Sequence, residues 1–239
     1  MFDLIIFIDY HISVITNKLV IREKERKMNF NDFKQEFSHL PIINSMDIVK
    51  RGNFQTMFNQ INNWQKKGLL IQLRRGLYLL NQNDRKITAT NYFLSNQIYS
   101  PSYISLESAL SLYEIIPETP SVITAVSSKK TKLIKNEAGI FSYQHIKQSA
   151  YRGFIEQKDI NNFNCFIAQP EKAVLDFIYF NLARFKTDDI DIFETSYRFQ
   201  NLDSLNINKL KNYLTFFDNQ KLNAVVKNLC DIIKKEKNS

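Results

Sequence analysis

The chain has 239 residues, with 32 Lys and Arg against 24 Asp and Glu, for a formal net charge of +8. That length suits one large domain or two small ones, and the basic balance favours a polyanionic partner, nucleic acid or an anionic surface, without choosing between them. The 5 widely spaced glycines exclude a phosphate-binding loop, a dinucleotide fingerprint and a nucleophile elbow, and the 2 cysteines, with no paired spacing, point to buried thiols in a reducing cytoplasm.

From the N-terminus, Leu4-Ile5-Ile6-Phe7-Ile8 is apolar but short. Its flanks, Asp3 and Asp9, make it a poor signal peptide, and no run of 18 apolar residues predicts a membrane span. A mixed charge run over 22–27 follows, and Met28 opens a clean helical pattern. One expectation is that Met28 is the natural start and that residues 1–27 are a translated upstream extension, not native to the protein. The other is an ordered arm packed on the body.

Phe30, Phe33 and Phe37 recur at helical spacing over 29–38, with Asn29 or Asn31 as cap and Pro41 as terminator. Residues 45–50 predict a second short helix with Met46 and Val49 inward, and Arg51-Gly52-Asn53 a turn. Phe54, Met57, Phe58, Ile61 and Trp64 then form one helical stripe, which Asn53 caps and Gly68 stops. Leu69, Ile71 and Leu73 alternate as in a strand, Arg74-Arg75-Gly76 turns, and 77–80 returns.

Three helices followed by a basic ribbon is the order of a winged helix-turn-helix. On that reading Asn53, Gln55, Thr56, Asn59, Gln60 and Asn63 lie on the groove face, because amides pair with base edges. Lys66, Lys67, Arg74 and Arg75 meet phosphates or the minor groove. The plainer alternative is a solvated face in a chain where Asn is common throughout.

Residues 81–84 read as a polar linker. Helices are predicted over 88–99, with Tyr92, Phe93 and Ile98 inward, and over 105–116, with Leu106, Ala109, Leu110 and Tyr113 on one stripe. Strands are predicted over 121–127, 139–146, 153–158 and 163–168. Pro170 starts a helix over 171–184, and the tail from Asp188 reads as helices over 190–199, 208–216 and 219–235.

His11, His39 and His145 share no metal spacing, and no catalytic set, metal site or cofactor is predicted. Glu156 and Lys158 share one face of a predicted strand, as in many metal-dependent nucleases. That pattern also needs an Asp on a neighbouring strand, which 139–146 lacks, so an exposed ion pair is the preferred reading. Ser105 with Ser108 reads as a cap region. Lys129, Lys130, Lys132 and Lys135 form a basic cluster, either a second phosphate, RNA or acidic-partner contact or a solvated loop. Phe141, Tyr143, Tyr151 and Phe154 read as core rather than as a base-stacking platform.

The segments RRGLYLL, PSYISLESALSLYEIIPETP, ITAVSSKKTKLIKNEAGIFSYQHIK and AQPEKAVLDFIYF, in this order, resemble the AbiEi-type antitoxins of bacterial abortive-infection, phage-defence toxin–antitoxin systems. The resemblance runs from about 28 to about 184 and rests most on Tyr103-Ile104-Ser105-Leu106-Glu107-Ser108-Ala109-Leu110 and on Pro170-Glu171-Lys172-Ala173. It implies a cytoplasmic, non-enzymatic protein whose winged helix binds inverted repeats in double-stranded operator DNA and represses its own operon. It also implies a second domain that counteracts a nucleotidyltransferase toxin without a stable complex. Ser105, Glu107, Lys129 and Lys130 match the motifs of that second domain.

The expectation is therefore an α+β protein: an extension over 1–27, a winged helix-turn-helix over 28–82, and a mixed α/β domain with a helical C-terminal segment over 83–239. A metal-dependent nuclease, or a regulator whose second domain only binds a partner protein, are the alternatives.

Overall fold

A computed structural model describes residues 28–50, 54–187 and 189–238. The expectations for 1–27, for the Arg51-Gly52-Asn53 turn and the Asn53 cap, and for Asp188 lie outside the described residues. So do the inward placements of the Val49 and Phe54 side chains. The chain is mixed α and β, with two sheets, and falls into two compact units that divide between Thr88 and Ala89.

In the first unit, α1 (Phe30–Phe37) begins where the Asn29 side chain accepts from the Asp32 N–H. Strand β1 (Ile43–Asn44) leads into α2 (Ser45–Val49), which Asn44 caps by accepting from the Met46 N–H. Then come α3 (Phe54–Lys66), β2 (Leu70–Arg74) and β3 (Leu77–Leu80). The sheet order is β1-β3-β2, antiparallel throughout, with a bulge between Gln72 and Arg74.

The core gathers Phe33, Phe37, Ile43, Ile48, Met57, Ile61, Trp64, Leu70, Tyr78 and Leu80. Ile48 points inward from α2, whereas Met46, expected inward, is 64% exposed. Gly76 holds φ +79 in the hairpin turn, and its carbonyl accepts from the Ser45 N–H, so the turn is tied to the start of α2. Residues 81–86, expected to begin a linker and a second domain, are bound to the first unit instead. Lys34 pairs with Asp84 at 2.8 Å, and the Lys86 N–H donates to the Ser38 carbonyl.

The second unit is built on a six-stranded sheet, order β6-β7-β5-β4-β9-β8. Its strands are β4 (Tyr103–Ile104), β5 (Ile123–Ser127), β6 (Lys132–Asn136), β7 (Gly139–His145), β8 (Phe154–Lys158) and β9 (Asn164–Ala168). The two-residue β4 is central: it pairs antiparallel with β5 and parallel with β9. The basic segment after β5 is half strand, because Lys132 onward forms edge strand β6 against β7. Lysines along an edge discourage further strand pairing.

Helix α4 (Asn91–Ile98), capped by Thr90, packs on β4, β5 and β9. Helix α5 is only Glu107–Leu112. It is shorter than the apolar stripe predicts, since Leu106 at φ 57 and Glu114 at φ 55 leave the helical region. The strained Leu106 turn is held by Thr124, whose hydroxyl donates to the Ser105 carbonyl and accepts from the Ser108 N–H.

Helix α6 (Pro170–Phe180) follows β9, with Pro170 in its first turn. The helix expected over 190–199 reduces to the single turn α7 (Ile192–Thr195). Beyond its end Arg198 holds φ 52, and the Phe199 N–H turns back to the Phe193 carbonyl. Helices α8 (Ile207–Leu214) and α9 (Gln220–Lys237) complete the unit against α6.

Candidate nucleic-acid interface

Along α3, Met57, Ile61 and Trp64 point into the core of the first unit, which leaves Gln55, Thr56, Asn59, Asn63, Lys66 and Lys67 exposed on the other side. The Gln55 amide donates to Asn59 Oδ1 at 3.3 Å. In the last turn of the helix, Gln65 donates to Gln72 Oε1 at 3.2 Å, linking α3 to β2. Arg74 and Arg75 are exposed at the hairpin turn, where Arg74 donates to the Arg75 carbonyl at 3.4 Å. The exposed face therefore carries amides in its middle and cations toward its C-terminal end and on the hairpin, with no carboxylate on α3.

Two residues depart from the helical-wheel reading. Gln60 is 5% exposed, and its amide donates to the Met28 carbonyl, so it is no part of the exposed face. It lies about 40° from Trp64 on the helix, at the border where a polar residue is drawn in once a carbonyl is there to meet it. Phe58, expected in the core stripe, is exposed and joins the amide face. Asn63 and Lys67 flank a cavity of about 340 Å³ that also reaches Met28, Phe30 and Trp64. Asn53 lies outside the described residues.

The four candidates of the second unit separate into two places. Because β4 runs antiparallel to β5, Ser105 meets Thr124 at one end of the pair, while Ser100 and Lys129 meet at the other. Lys129 and Lys130 are exposed beside Tyr99 and His145; the Lys129 ammonium donates to the Ser100 carbonyl at 2.5 Å and sits 5.7 Å from the centre of the Tyr99 ring. Glu107 is partly buried at the start of α5. Ser105 is fully buried and is not a helix cap; its hydroxyl donates to Asp176 at 2.8 Å.

That bond belongs to a buried cluster absent from the sequence reading. Lys172 is 1% exposed and Asp176 0%, and they form an ion pair one turn apart on α6. The Tyr103 hydroxyl lies between them, accepting from Lys172 at 2.8 Å and donating to Asp176 at 3.0 Å. Side chains two apart on a strand share a face, which is why Tyr103 and Ser105 reach the same carboxylate.

Burial pushes the Asp176 carboxyl up, against the pull of Lys172, Ser105 and Tyr103. Burial likewise pulls the Lys172 ammonium down, against Asp176. It raises the Tyr103 phenol well above its ordinary value, and the carboxylate adds to that effect. Gly153, at φ +82, passes against the Lys172 stem, where a Cβ would lie 3.1 Å from Cγ. The sequence signal was a Lys and an Asp four apart inside an otherwise apolar helical run.

Glu156 and Lys158 are exposed on edge strand β8. Across the pairing, Phe166 stands opposite Glu156 and Asn164 opposite Lys158, so no carboxylate faces Glu156 in register.

Among the described residues no helix is long and apolar enough to cross a membrane. Comparison with protein-family models found no match, and neither did comparison with curated protein sequences.

Proposed function

We propose that the first unit is a winged helix-turn-helix that binds operator DNA. On this reading α3 enters the major groove and the β2–β3 hairpin is the wing. The observation that carries it is the single exposed face of α3, where Gln55, Thr56, Asn59 and Asn63 stand with Lys66 and Lys67, next to a hairpin tipped by Arg74 and Arg75. Amides read adenine edges and cations neutralise phosphates. The exposed Phe58 adds an apolar contact suited to a thymine methyl group.

The chain as a whole is then an autoregulatory antitoxin of the AbiEi type, as its resemblance implies. The winged helix represses the operon from inverted repeats, and the second unit counteracts a nucleotidyltransferase toxin. The two motifs that carry the resemblance, around Tyr103-Ser105 and around Lys172, meet in one buried cluster. That supports a role for them in shaping the second unit rather than in touching a partner.

Two measurements test the reading. Gel-shift titration on the DNA upstream of the gene should give sequence-specific binding. Co-expression with the neighbouring reading frame should restore growth that this frame alone arrests. A neighbouring frame harmless by itself, together with sequence-blind DNA binding, would overturn it.

A further inference from the structure

On the second unit a cavity of about 230 Å³ has Ser100, Ser102, Tyr151, Phe154 and Phe166 in its lining. Three of these are aromatic and stand at steep angles to one another. Tyr151 and Phe154 have centroids 5.1 Å apart at 59°, and Phe154 and Phe166 6.1 Å apart at 89°. Phe141 and Tyr143 are core, as their pattern predicts, but Tyr151 and Phe154 are only partly buried and look onto this cavity. Its wall includes Ser102, which is 4% exposed and whose hydroxyl has no partner among the described residues. Buried hydroxyls are almost always bonded, so an orphan in a cavity wall points to a group that belongs there.

The rim adds charge. The Ser100 carbonyl, on the cavity's edge, accepts from the Lys129 ammonium. Lys129 and Lys130 open onto a bay of about 660 Å³ with Tyr99, Ser128, Thr131 and His145. The short Tyr99–Ser102 segment therefore borders both an aromatic, hydrogen-bonding cavity and a cationic bay, and the Lys129–Ser100 bond joins the two. Among the described residues no Asp or Glu lines either.

We propose that this pair of features binds a nucleotide. The base lies against Phe166 and Tyr151 and hydrogen-bonds to Ser102, and the phosphate reaches Lys129 and Lys130. Aromatic walls with a few placed polar groups select a planar heteroaromatic ring, and the lysines select its anionic substituent. The same chemistry is offered by a free nucleotide and by an unpaired nucleotide of a single strand. The proposal does not rest on the first unit's binding to operator DNA.

The test titrates the full chain by calorimetry with AMP, GMP, CMP and UMP, with the four corresponding nucleosides, adenosine included, and inorganic phosphate as the separate halves, and with an oligo(A) octamer. At least one mononucleotide should bind saturably, about tenfold tighter than its nucleoside. Phe166→Ala should weaken it by about tenfold, as for loss of a stacking ring. Lys129→Ala with Lys130→Ala should erase the difference between nucleotide and nucleoside while leaving adenosine binding unchanged. Both variants are at exposed positions, and circular dichroism checks their fold. An octamer that binds more tightly than AMP, and is weakened by the same variants, assigns the site to single strands. An octamer no tighter than AMP assigns it to free nucleotides. Absence of saturable binding by all four mononucleotides, or binding that neither variant changes, overturns the proposal. Operator affinity should be unaffected by Phe166→Ala.

Discussion

The Lys172 ammonium meets the Asp176 carboxylate within α6, one turn apart, and neither is open to solvent. Removing one member leaves the other charged, buried and unpaired. Lys172→Met or Asp176→Leu alone should cost about 3–5 kcal/mol, and the double replacement much less than the sum. Urea unfolding of the four proteins checks this; additive losses would contradict the coupling.

The hairpin arginines should act on phosphates. Arg74→Ala with Arg75→Ala should weaken binding to every DNA sequence and reduce the slope of log K against log salt by about 2. Equal operator affinity for the variant and the native chain would remove the hairpin from the interface.

Neighbouring amides on α3 should separate by function. Asn59→Ala should lower discrimination between operator and random DNA by about 1–3 kcal/mol with little change in stability. Gln60→Ala, which loses the bond to the Met28 carbonyl, should do the reverse, costing about 1–2 kcal/mol of stability. Paired gel-shift and unfolding measurements on the two variants decide it.

Asp159 should give the second unit an acid-sensitive component. Burial raises its carboxyl, but hydrogen bonds from the Thr90 hydroxyl, the Phe163 and Asn161 N–H groups and the Cys165 thiol outweigh this and hold it below the usual range. A folded pKa below the unfolded one stabilises above the unfolded value, about 3.9, and the contribution is lost as pH falls through the folded value. Denaturation midpoints measured from pH 6 down to pH 3 should therefore fall less steeply for Asp159→Asn than for the native chain.

Both thiols should resist alkylation until the chain unfolds. Cys165 is fully buried, and burial, aided by the nearby Asp159 carboxylate, pushes its thiol up to about 12. Burial raises Cys230 as well. The thiolate is the reactive form, so a disulfide reagent should titrate 2 thiols in denaturant and close to none under native conditions.

The elements legible in advance were those written in local pattern. Helices α1, α3, α6 and α9 show in a 3.6-residue apolar stripe, and caps such as Asn29 or the first-turn Pro170 lie within four residues of the groups they serve. The exposure of Gln55, Asn59 and the hairpin arginines follows from the same periodicity. Strands β1 and β4 have two residues each and offer no alternation to read. The stripe across 105–116 ran through Leu106, whose backbone turn depends on Thr124 from another strand.

Sequence alone determined the helical faces, the basic hairpin and the strand-rich middle, because these follow from forces acting between residues a few positions apart. Tertiary structure decided which polar groups are inside. Gln60 turns inward because Met28, 32 positions away, supplies a carbonyl. Lys172 and Asp176 are buried because Tyr103 and Ser105, about 70 positions away, complete their hydrogen bonds. The aromatic cavity beside Lys129 exists because the sheet order sets β9 and β8 next to the Ser100–Ser102 segment. A buried polar group is stable only when its partner is in place, and that partner comes from distant chain that periodicity does not encode.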